Sequence, residues 1–525
     1  MSKTALFICL LVGQLAPGLS RAATLAQATE NQKAGRLSEA ALQFFEILQN
    51  DPHPAYQTQA QFLLASTLAR MNLPHSALTH WSAIFQAGPT HPFFLKGIEG
   101  LLDVARAQRD DTLIPSLLHK HYQPEAFAFL EPAALGRVHF YLGLLTYRQD
   151  RWQPALALLE SVEPASRVYP KALFLQAILH IRQGVLAAQA QQEEPARVEH
   201  ERAIALFERI LALSGGDRAR AGQALKQYDD LQRLWQLTTL NLARAHYGQG
   251  DFSKALSFYQ RIPRFSQDWS DALLESGWAH FLRGEPGLAL GKLHTLHSPY
   301  FPSLFSPESW LLEATIYFHA CLFDEARAAL AAFQERYERW LPALRALSEA
   351  KLAAEDYAAL LSVSPLAAAH PLGAIPEAVR QQVLQSPRIE DFRHALRSLE
   401  REREALGRIE GWKATRLVEQ LLDSLASQKQ LWSRTAGGFV QAHLKNVADG
   451  IAGFVQHAKM IRLEITTRER ELLQRGISQA KGSPLPLPAR PALVEARINH
   501  WPFEQEYWKD ELGYVEVTLR DLCPR

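Results

Sequence analysis

The feature that most constrains the fold is a pair of small residues, 12 positions apart, that recurs along the first two thirds of the chain. Six pairs keep this spacing: Ala28 and Ala40, Ala65 and Ala77, Gly143 and Ala155, Ala243 and Ala255, Gly277 and Ala289, Ala314 and Ala326. A large residue follows the second small one by four in each pair, namely Phe44, Trp81, Leu159, Tyr259, Leu293 and Leu330. Small residues let two helices cross closely, and large neighbours fill the adjoining space. The pattern therefore predicts successive antiparallel helix pairs.

The spacing between pairs identifies the type of repeat. Ala255 and Ala289 are 34 residues apart, and Ala289 and Ala326 are 37 apart, which is the period of a helix-turn-helix solenoid. The stretch Leu240 to Ile262, reading LNLARAHYGQGDFSKALSFYQRI, resembles the consensus of the tetratricopeptide-repeat (TPR) family. The resemblance extends over about residues 24–340 and implies eight units.

Two of these units depart from the pattern. In one, Thr112 takes the second small position, and Pro115 is expected to interrupt the second helix. In the other, Ala177 and Ala203 are 26 residues apart, which fits a normal unit carrying a 14-residue insertion, Gly184 to Arg197.

The predicted fold is all-α: a TPR-type solenoid, then a long coiled-coil-like helical hairpin, then a short aromatic tail. The predicted segments are a signal peptide at 1–22, the solenoid at 23–340, a cap and connector at 341–387, the hairpin at 388–480, a Pro-rich linker at 481–500 and the tail at 501–525.

The first 22 residues read as a cleaved secretory signal, because Lys3 precedes an apolar run from Ala5 to Val12 and small residues stand at Ser20 and Ala22. A buried first helix or an uncleaved anchor is the alternative. Export predicts a periplasmic location, with outer-membrane association left open. Cys321 and Cys523 remain after cleavage, and a disulfide between them is one option in an oxidising compartment.

The hairpin prediction rests on apolar residues that alternate spacings of four and three, the heptad pattern: Val440, Leu444, Val447, Ile451, Phe454, Ala458, Ile461 and Ile465. We predict that this seam packs against residues 389–425 of the same chain, with a turn at Gly437-Gly438. A coiled coil between two chains, and so a homo-oligomer, is the alternative.

The tail is dense in aromatic residues: Trp501, Phe503, Tyr507 and Trp508. We expect them to dock on the chain's own helices, and the alternative is that they anchor a partner. An alternating run from Tyr514 to Leu519 is strand-like.

The sequence offers little catalytic chemistry. It contains no Gly-rich phosphate loop, no G-x-S-x-G elbow and no H-E-x-x-H helix, and the histidine pairs His119/His121 and His294/His297 have no third ligand nearby in sequence. A net charge of +1 gives no field for nucleic acid. We therefore expect no metal, no cofactor, no nucleic-acid partner and no membrane span after processing. A cell-wall enzyme of the lytic transglycosylase type is the catalytic alternative.

The TPR resemblance implies that the first helix of each unit lines a concave surface that binds partner peptides. Matching unit by unit selects Tyr147, Arg148, Arg244, Tyr247, Trp278, Phe281, Phe318 and His319, with Arg244 and Trp278 as the principal candidates. This mixture suits a segment that bears carboxylates, although the aromatic residues can instead pack between units.

The expected function is that of a non-catalytic scaffold for other envelope proteins. The layout loosely resembles periplasmic TPR proteins of bacterial gliding-motility and envelope-spanning machines. A factor for outer-membrane assembly or polysaccharide export is the alternative within the binding class.

Overall fold

The computed structural model describes residues 24–215, 228–361, 370, 372–373, 375–474, 506–520 and 522–523. Helix accounts for 75% of the structure, and the described residues form no strand, which confirms the predicted all-α class. The signal peptide, the linker, Trp501 and Phe503 lie outside the described residues. None of the helices in the described ranges combines the length and the apolar character that crossing a membrane requires.

The first half of the chain consists of paired helices joined by short turns. Its helices are α1 (Leu25–Lys33), α2 (Leu37–Asn50), α3 (Pro54–Arg70), α4 (Pro74–Gln86), α5 (Phe94–Gln108), α6 (Leu113–Lys120), α7 (Pro124–Phe127), α8 (Pro132–Arg148), α9 (Trp152–Glu160), α10 (Tyr169–Gln189) and α11 (Glu193–Leu213).

Three further pairs precede the connector and the long C-terminal helices. They are α12 (Leu231–Gly248) with α13 (Phe252–Tyr259), α14 (Trp269–Leu282) with α15 (Pro286–Leu296), and α16 (Pro307–His319) with α17 (Phe323–Arg336). The remaining helices are α18 (Leu341–Glu349), α19 (Ala354–Ala358), α20 (Glu377–Gln385), α21 (Pro387–Arg408) and α22 (Arg416–Gln474).

The small residues of the repeat lie where paired helices cross. All ten alanines of the six pairs are fully buried. At Gly143 an added Cβ would lie 2.8 Å from Leu159 Cγ, which shows that only a very small residue fits there. Consecutive helices therefore pack in a solenoid-like manner for the reason that the sequence indicates.

The structure divides into two compact units. Unit 1 combines Met1–Leu101 with Arg401–Leu425, and unit 2 combines Leu102–Glu400 with Ala426–Arg525. Within unit 1, the indole of Trp412 is fully buried and donates to the Ser38 carbonyl oxygen at 3.0 Å, and Thr79 Oγ1 lies 2.6 Å from Ser424 Oγ. The first repeats are thus completed by a segment about 300 residues later in the chain.

The expectation that Pro115 interrupts a helix is wrong. Pro115 lies in the first turn of α6, where its missing N–H is not needed. The buried Asp110 carboxylate accepts hydrogen bonds from the backbone N–H groups of Thr112, Leu113 and Ile114 at 2.9, 2.7 and 3.0 Å. Burial raises the pKa of Asp110 to about 6, although these bonds act to lower it.

The 14-residue insertion lengthens two helices. The helices α10 and α11 each contain 21 residues, and only three residues, 190–192, separate them. The extra residues are therefore divided between the two helices of one pair.

The predicted turn at Gly437-Gly438 is also wrong. Both glycines lie inside α22, which runs for 59 residues, about 88 Å. The break between the long helices falls at residues 409–415, where Gly411 and Ala414 adopt positive φ. Glycine pairs are typical of turns, but a glycine inside a helix can also mark a close approach of another backbone.

Within unit 2 the start of α21 packs against α22 in an antiparallel direction. The Phe392 ring lies 5.8 Å from the rings of Trp432 and Phe439, while Lys429 pairs with Glu400 at the other end of the contact. Five seam residues are at most 2% exposed in the single chain, namely Val440, Leu444, Ile451, Ala458 and Ile465. The seam is therefore largely buried within its own chain, and assembly between chains stays a prediction.

Candidate protein-binding site

The strongest candidate site lies in unit 2, on the side of α12, α14 and α16 that carries most of the predicted binding residues. We call it the first-helix face and define it by Arg244, Tyr247, Asp271, Glu275, Trp278, Phe281, Glu308, Phe318 and His319. Asp271, Glu275 and Trp278 follow the helical spacings of four and three, so they share one stripe of α14. The sequence periodicity thus presents polar and aromatic groups on one side of three successive first helices.

Arg244 and Trp278 each bond to the next first helix along the chain. The Arg244 guanidinium donates from Nη2 to Glu275 Oε1 at 2.6 Å and from Nε to both Glu275 oxygens at 3.0 Å. Trp278 Nε1 donates to Glu308 Oε1 at 2.8 Å. The two principal candidates therefore connect neighbouring repeats, and their polar groups already have partners.

The charge of the face is negative. The carboxylates of Asp271, Glu275 and Glu308 accompany a single guanidinium, that of Arg244, which lies 3.6 Å from Asp271 as well. Burial acts to lower the pKa of Arg244, but the Glu275 carboxylate outweighs it and raises that pKa. A segment bearing carboxylates, as expected from sequence, would have to displace these ion pairs.

Part of the first-helix face is open to solvent. The Asp271 side chain is 61% exposed, yet the surrounding protein raises the pKa of its carboxyl through burial. A partner can therefore reach this carboxylate from solvent.

The aromatic residues of the face link α14 to α16. The Phe281 ring lies 6.2 Å from that of Trp278 and 5.4 Å from that of His319. Trp278 and Phe281 are half-buried, and His319 is exposed. They pack between repeats, as the alternative interpretation held, and they also keep exposed surface that a partner can contact.

Tyr147 and Arg148 belong to α8, an earlier part of unit 2. Arg148 donates to the Asp111 carbonyl oxygen at 2.6 Å and pairs with the Asp111 carboxylate. Close by, burial lowers the pKa of Arg388 in α21, and the charge of Arg148 lowers it further. Tyr147 and Arg148 therefore lie on a helix that does not contribute to the first-helix face.

The tail lies on the chain's own helices where the structure describes it. The Tyr507 ring stacks on His294 with centroids 4.6 Å apart, and the Tyr507 carbonyl oxygen accepts from Tyr300 Oη at 3.2 Å. Trp508 is 50% exposed. The predicted strand-like run has alternating burial, but it forms no strand, since it lies on a helix instead of beside another strand.

Cys321 and Cys523 form a disulfide with a Cα–Cα distance of 5.0 Å. The two residues are 202 positions apart, so the bond joins the end of the tail to the turn between α16 and α17. Sequence alone left the existence of this bridge open, because two cysteines at such a separation form no recognisable framework.

One group in unit 2 has the order of a nucleophile, a base and a carboxylate. His297 Nε2 lies 2.9 Å from Ser309 Oγ, and His297 Nδ1 lies 3.5 Å from Glu313 Oε2. Ser309 has no exposed surface, and its hydroxyl donates to the Ser306 carbonyl oxygen at 2.6 Å. Trp310 stacks on His297 at 3.7 Å. The serine therefore cannot meet a substrate in this arrangement, and the group acts as a buried polar contact between helices.

Across the described ranges, no three His, Cys, Asp or Glu side chains come together in a group that could hold a metal ion. Comparison with known proteins gives no further guide to the chemistry of the first-helix face. No protein-family model matches the sequence, and no curated protein is significantly similar to it.

Proposed function

We propose that this protein is a non-catalytic scaffold of the TPR type that binds a protein partner on the first-helix face. The observation that carries the proposal is a partly exposed face to which three successive first helices contribute charged and aromatic side chains that contact one another. In this proposal the chain is exported to the periplasm and holds components of the cell envelope together.

The chemistry of the face favours a partner segment with basic side chains that can also lie over aromatic rings. Three carboxylates and one guanidinium leave an excess of negative charge. Half-buried rings such as Trp278 and Phe281 offer surfaces over which a lysine or arginine can lie, a contact worth about 0.5–2 kcal/mol. We therefore propose a segment that bears Lys or Arg, in place of the acidic segment expected from sequence.

The proposal can be tested by site-specific photo-crosslinking in native cells. A photo-reactive residue at Leu282, which is 50% exposed and one turn beyond Trp278, should capture a defined protein. The same residue at the exposed Ser257, on the second helix of the preceding pair, should capture much less of that protein.

Charge reversal then identifies the face. Asp271→Arg should reduce capture from position 282 at least tenfold, because it removes the excess negative charge of the first-helix face. Asp324→Arg is the matched control, since Asp324 is an acidic residue on a second helix with a 96% exposed side chain. Equal capture by both variants would reject the first-helix face, and recovery of glycan fragments alone would favour a wall-active protein.

A further inference from the structure

The end of the tail forms a strap over one helix of unit 2. We define the strap as residues 512–520 with 522 and 523. Its apolar residues Val515, Val517 and Leu519 are half-buried, while Tyr514, Glu516 and Thr518 between them are exposed. An extended chain points alternate side chains in opposite directions, so one side of the strap faces the protein.

Hydrogen bonds fix the register of the strap on α15. The Gly513 N–H donates to Thr295 Oγ1 at 2.8 Å, and Lys292 Nζ donates to the Gly513 carbonyl oxygen at 2.6 Å. Four residues further along the strap, and about two turns closer to the start of α15, the Val517 N–H donates to the Gly287 carbonyl oxygen at 3.0 Å. The strap therefore runs antiparallel to α15 along almost its whole length.

Two glycines of α15 make this approach possible. A Cβ at Gly291 would lie 1.7 Å from the Val515 carbonyl oxygen, and one at Gly287 would lie 2.4 Å from that of Val517. Glycine inside a helix costs about 1 kcal/mol relative to alanine. Two glycines four residues apart thus sacrifice helix stability and shape a surface that accepts a peptide backbone.

The apolar side of the strap completes the local core. Leu512 is 1% exposed and belongs to the cluster that contains Trp269, Leu273 and Leu290, against which Val517 and Leu519 also pack. Removal of the strap would leave a surface that fits apolar side chains at alternate positions of an extended segment.

The disulfide fixes the far end of the strap. The Leu522 N–H donates to the Ala320 carbonyl oxygen at 3.0 Å, and Cys523 is bonded to Cys321. Cys321 is buried, whereas Cys523 is half-exposed. A covalently held segment competes with any free ligand at an effective concentration of about millimolar or more. The same segment is much easier to displace when one end is released.

We propose that the face of α15 under the strap is a second protein-binding site, specific for an extended partner segment with apolar residues at alternate positions, and that the Cys321–Cys523 disulfide keeps it closed. A dithiol reductant opens it by thiol–disulfide exchange. The reductant's two thiols become one disulfide, and Cys321 and Cys523 each gain a thiol hydrogen.

The binding arm of the test uses the full chain with its own strap made incompatible, by Val515→Asp and Val517→Asp together with serine at both cysteine positions. A fluorescent peptide with the sequence of residues 512–520, LGYVEVTLR, should bind this open chain at one site and should not bind the oxidised wild type. Adding Gly291→Ala to the open chain should weaken binding at least tenfold. Gly407→Ala should leave it unchanged, since nothing lies within 4 Å of a Cβ at that position.

The redox arm uses the unaltered protein. Reduction should raise the hydrogen-exchange rates of the Gly513 and Val517 amides at least tenfold and leave the amides of α15 protected. Peptide binding that is absent from the open chain, or indifferent to Gly291→Ala, would overturn the binding site. Unchanged exchange on reduction would overturn the role of the disulfide.

Discussion

Replacement of Glu402 by alanine should destabilise unit 1 far more than an ordinary substitution on a charged helix. Glu402 is 4% exposed, and its carboxylate accepts from the backbone N–H groups of His75 and Ser76 at 2.9 and 2.6 Å. These N–H groups open α4, whose N-cap residue, Leu73, provides no side-chain hydrogen bond. Glu402 thus caps a helix from 326 residues away.

The size of the effect follows from these contacts. A hydrogen bond to a charged group contributes about 1.5–3 kcal/mol net, and alanine would leave two buried donors without an acceptor. Burial raises the pKa of Glu402, which means that desolvation offsets part of the gain. We expect a loss of about 3 kcal/mol in the free energy of unfolding of unit 1. This loss is equivalent to a fall of about 15 °C in the thermal unfolding midpoint.

The assay is hydrogen exchange along a urea titration, which reports α4 and the helices of unit 2 separately. Glu402→Gln should lose about half as much as Glu402→Ala, because one amide oxygen can still accept. Glu404→Ala is the control, since the exposed Glu404 forms a surface ion pair with Arg408 at 3.3 Å. If Glu402→Ala lowers the urea midpoint of α4 no more than Glu404→Ala does, the Glu402 carboxylate does not stabilise α4 as a cap.

Two further predictions concern side chains that sequence patterns do not explain. Gly437→Ala should destabilise unit 2 by about 1–3 kcal/mol, because the new Cβ would lie 1.7 Å from the Ala354 carbonyl oxygen. Gly438→Ala should instead stabilise unit 2 by about 0.5–1 kcal/mol, because nothing lies within 4 Å of a Cβ there. Urea unfolding of both variants tests this, and equal effects would contradict it. Burial lowers the pKa of His80 to about 4. The unfolded chain therefore binds a proton at His80 before the folded protein does, and the free energy of unfolding of unit 1 falls by about 3 kcal/mol as the pH drops from about 6.5 toward 4. His80→Gln should remove this part of the acid sensitivity, and an unchanged dependence of stability on pH would refute the prediction.

The repeats were predictable because their signal is local. Ala243 and Ala255 belong to the same buried cluster and lie on helices joined by one short turn, so the sequence spacing directly reflects the packing. The helix pairs therefore follow from a pattern that spans fewer than 20 residues.

The misplaced features depend on residues far apart in the chain. The sequence predicts a turn at Gly437, but glycine is needed there because the backbone of Ala354, more than 80 residues earlier, lies against it. Gly291 likewise had no visible purpose without Val515. A glycine that makes room for a distant backbone looks the same in a sequence as one that makes a bend.

The sequence offered candidate positions for a binding site but gave no information on the charge of the surface around them. Matching the repeats to the TPR pattern selected Arg244 and Trp278 as binding residues, and this role stays a prediction. Their partners, Glu275 and Glu308, lie on the next first helices, about 30 residues later. The sign of the charge could be assigned only after these pairs were known.

Unit 1 is built from two distant chain segments, and this constrains the order in which it can fold. Its first repeats contain about 100 residues, but Glu402 and Trp412 join them only after some 300 more have been added. The amino-terminal helices therefore cannot complete their packing until residues 401–425 have followed them. Until then they present to solvent the surface that Trp412 later covers.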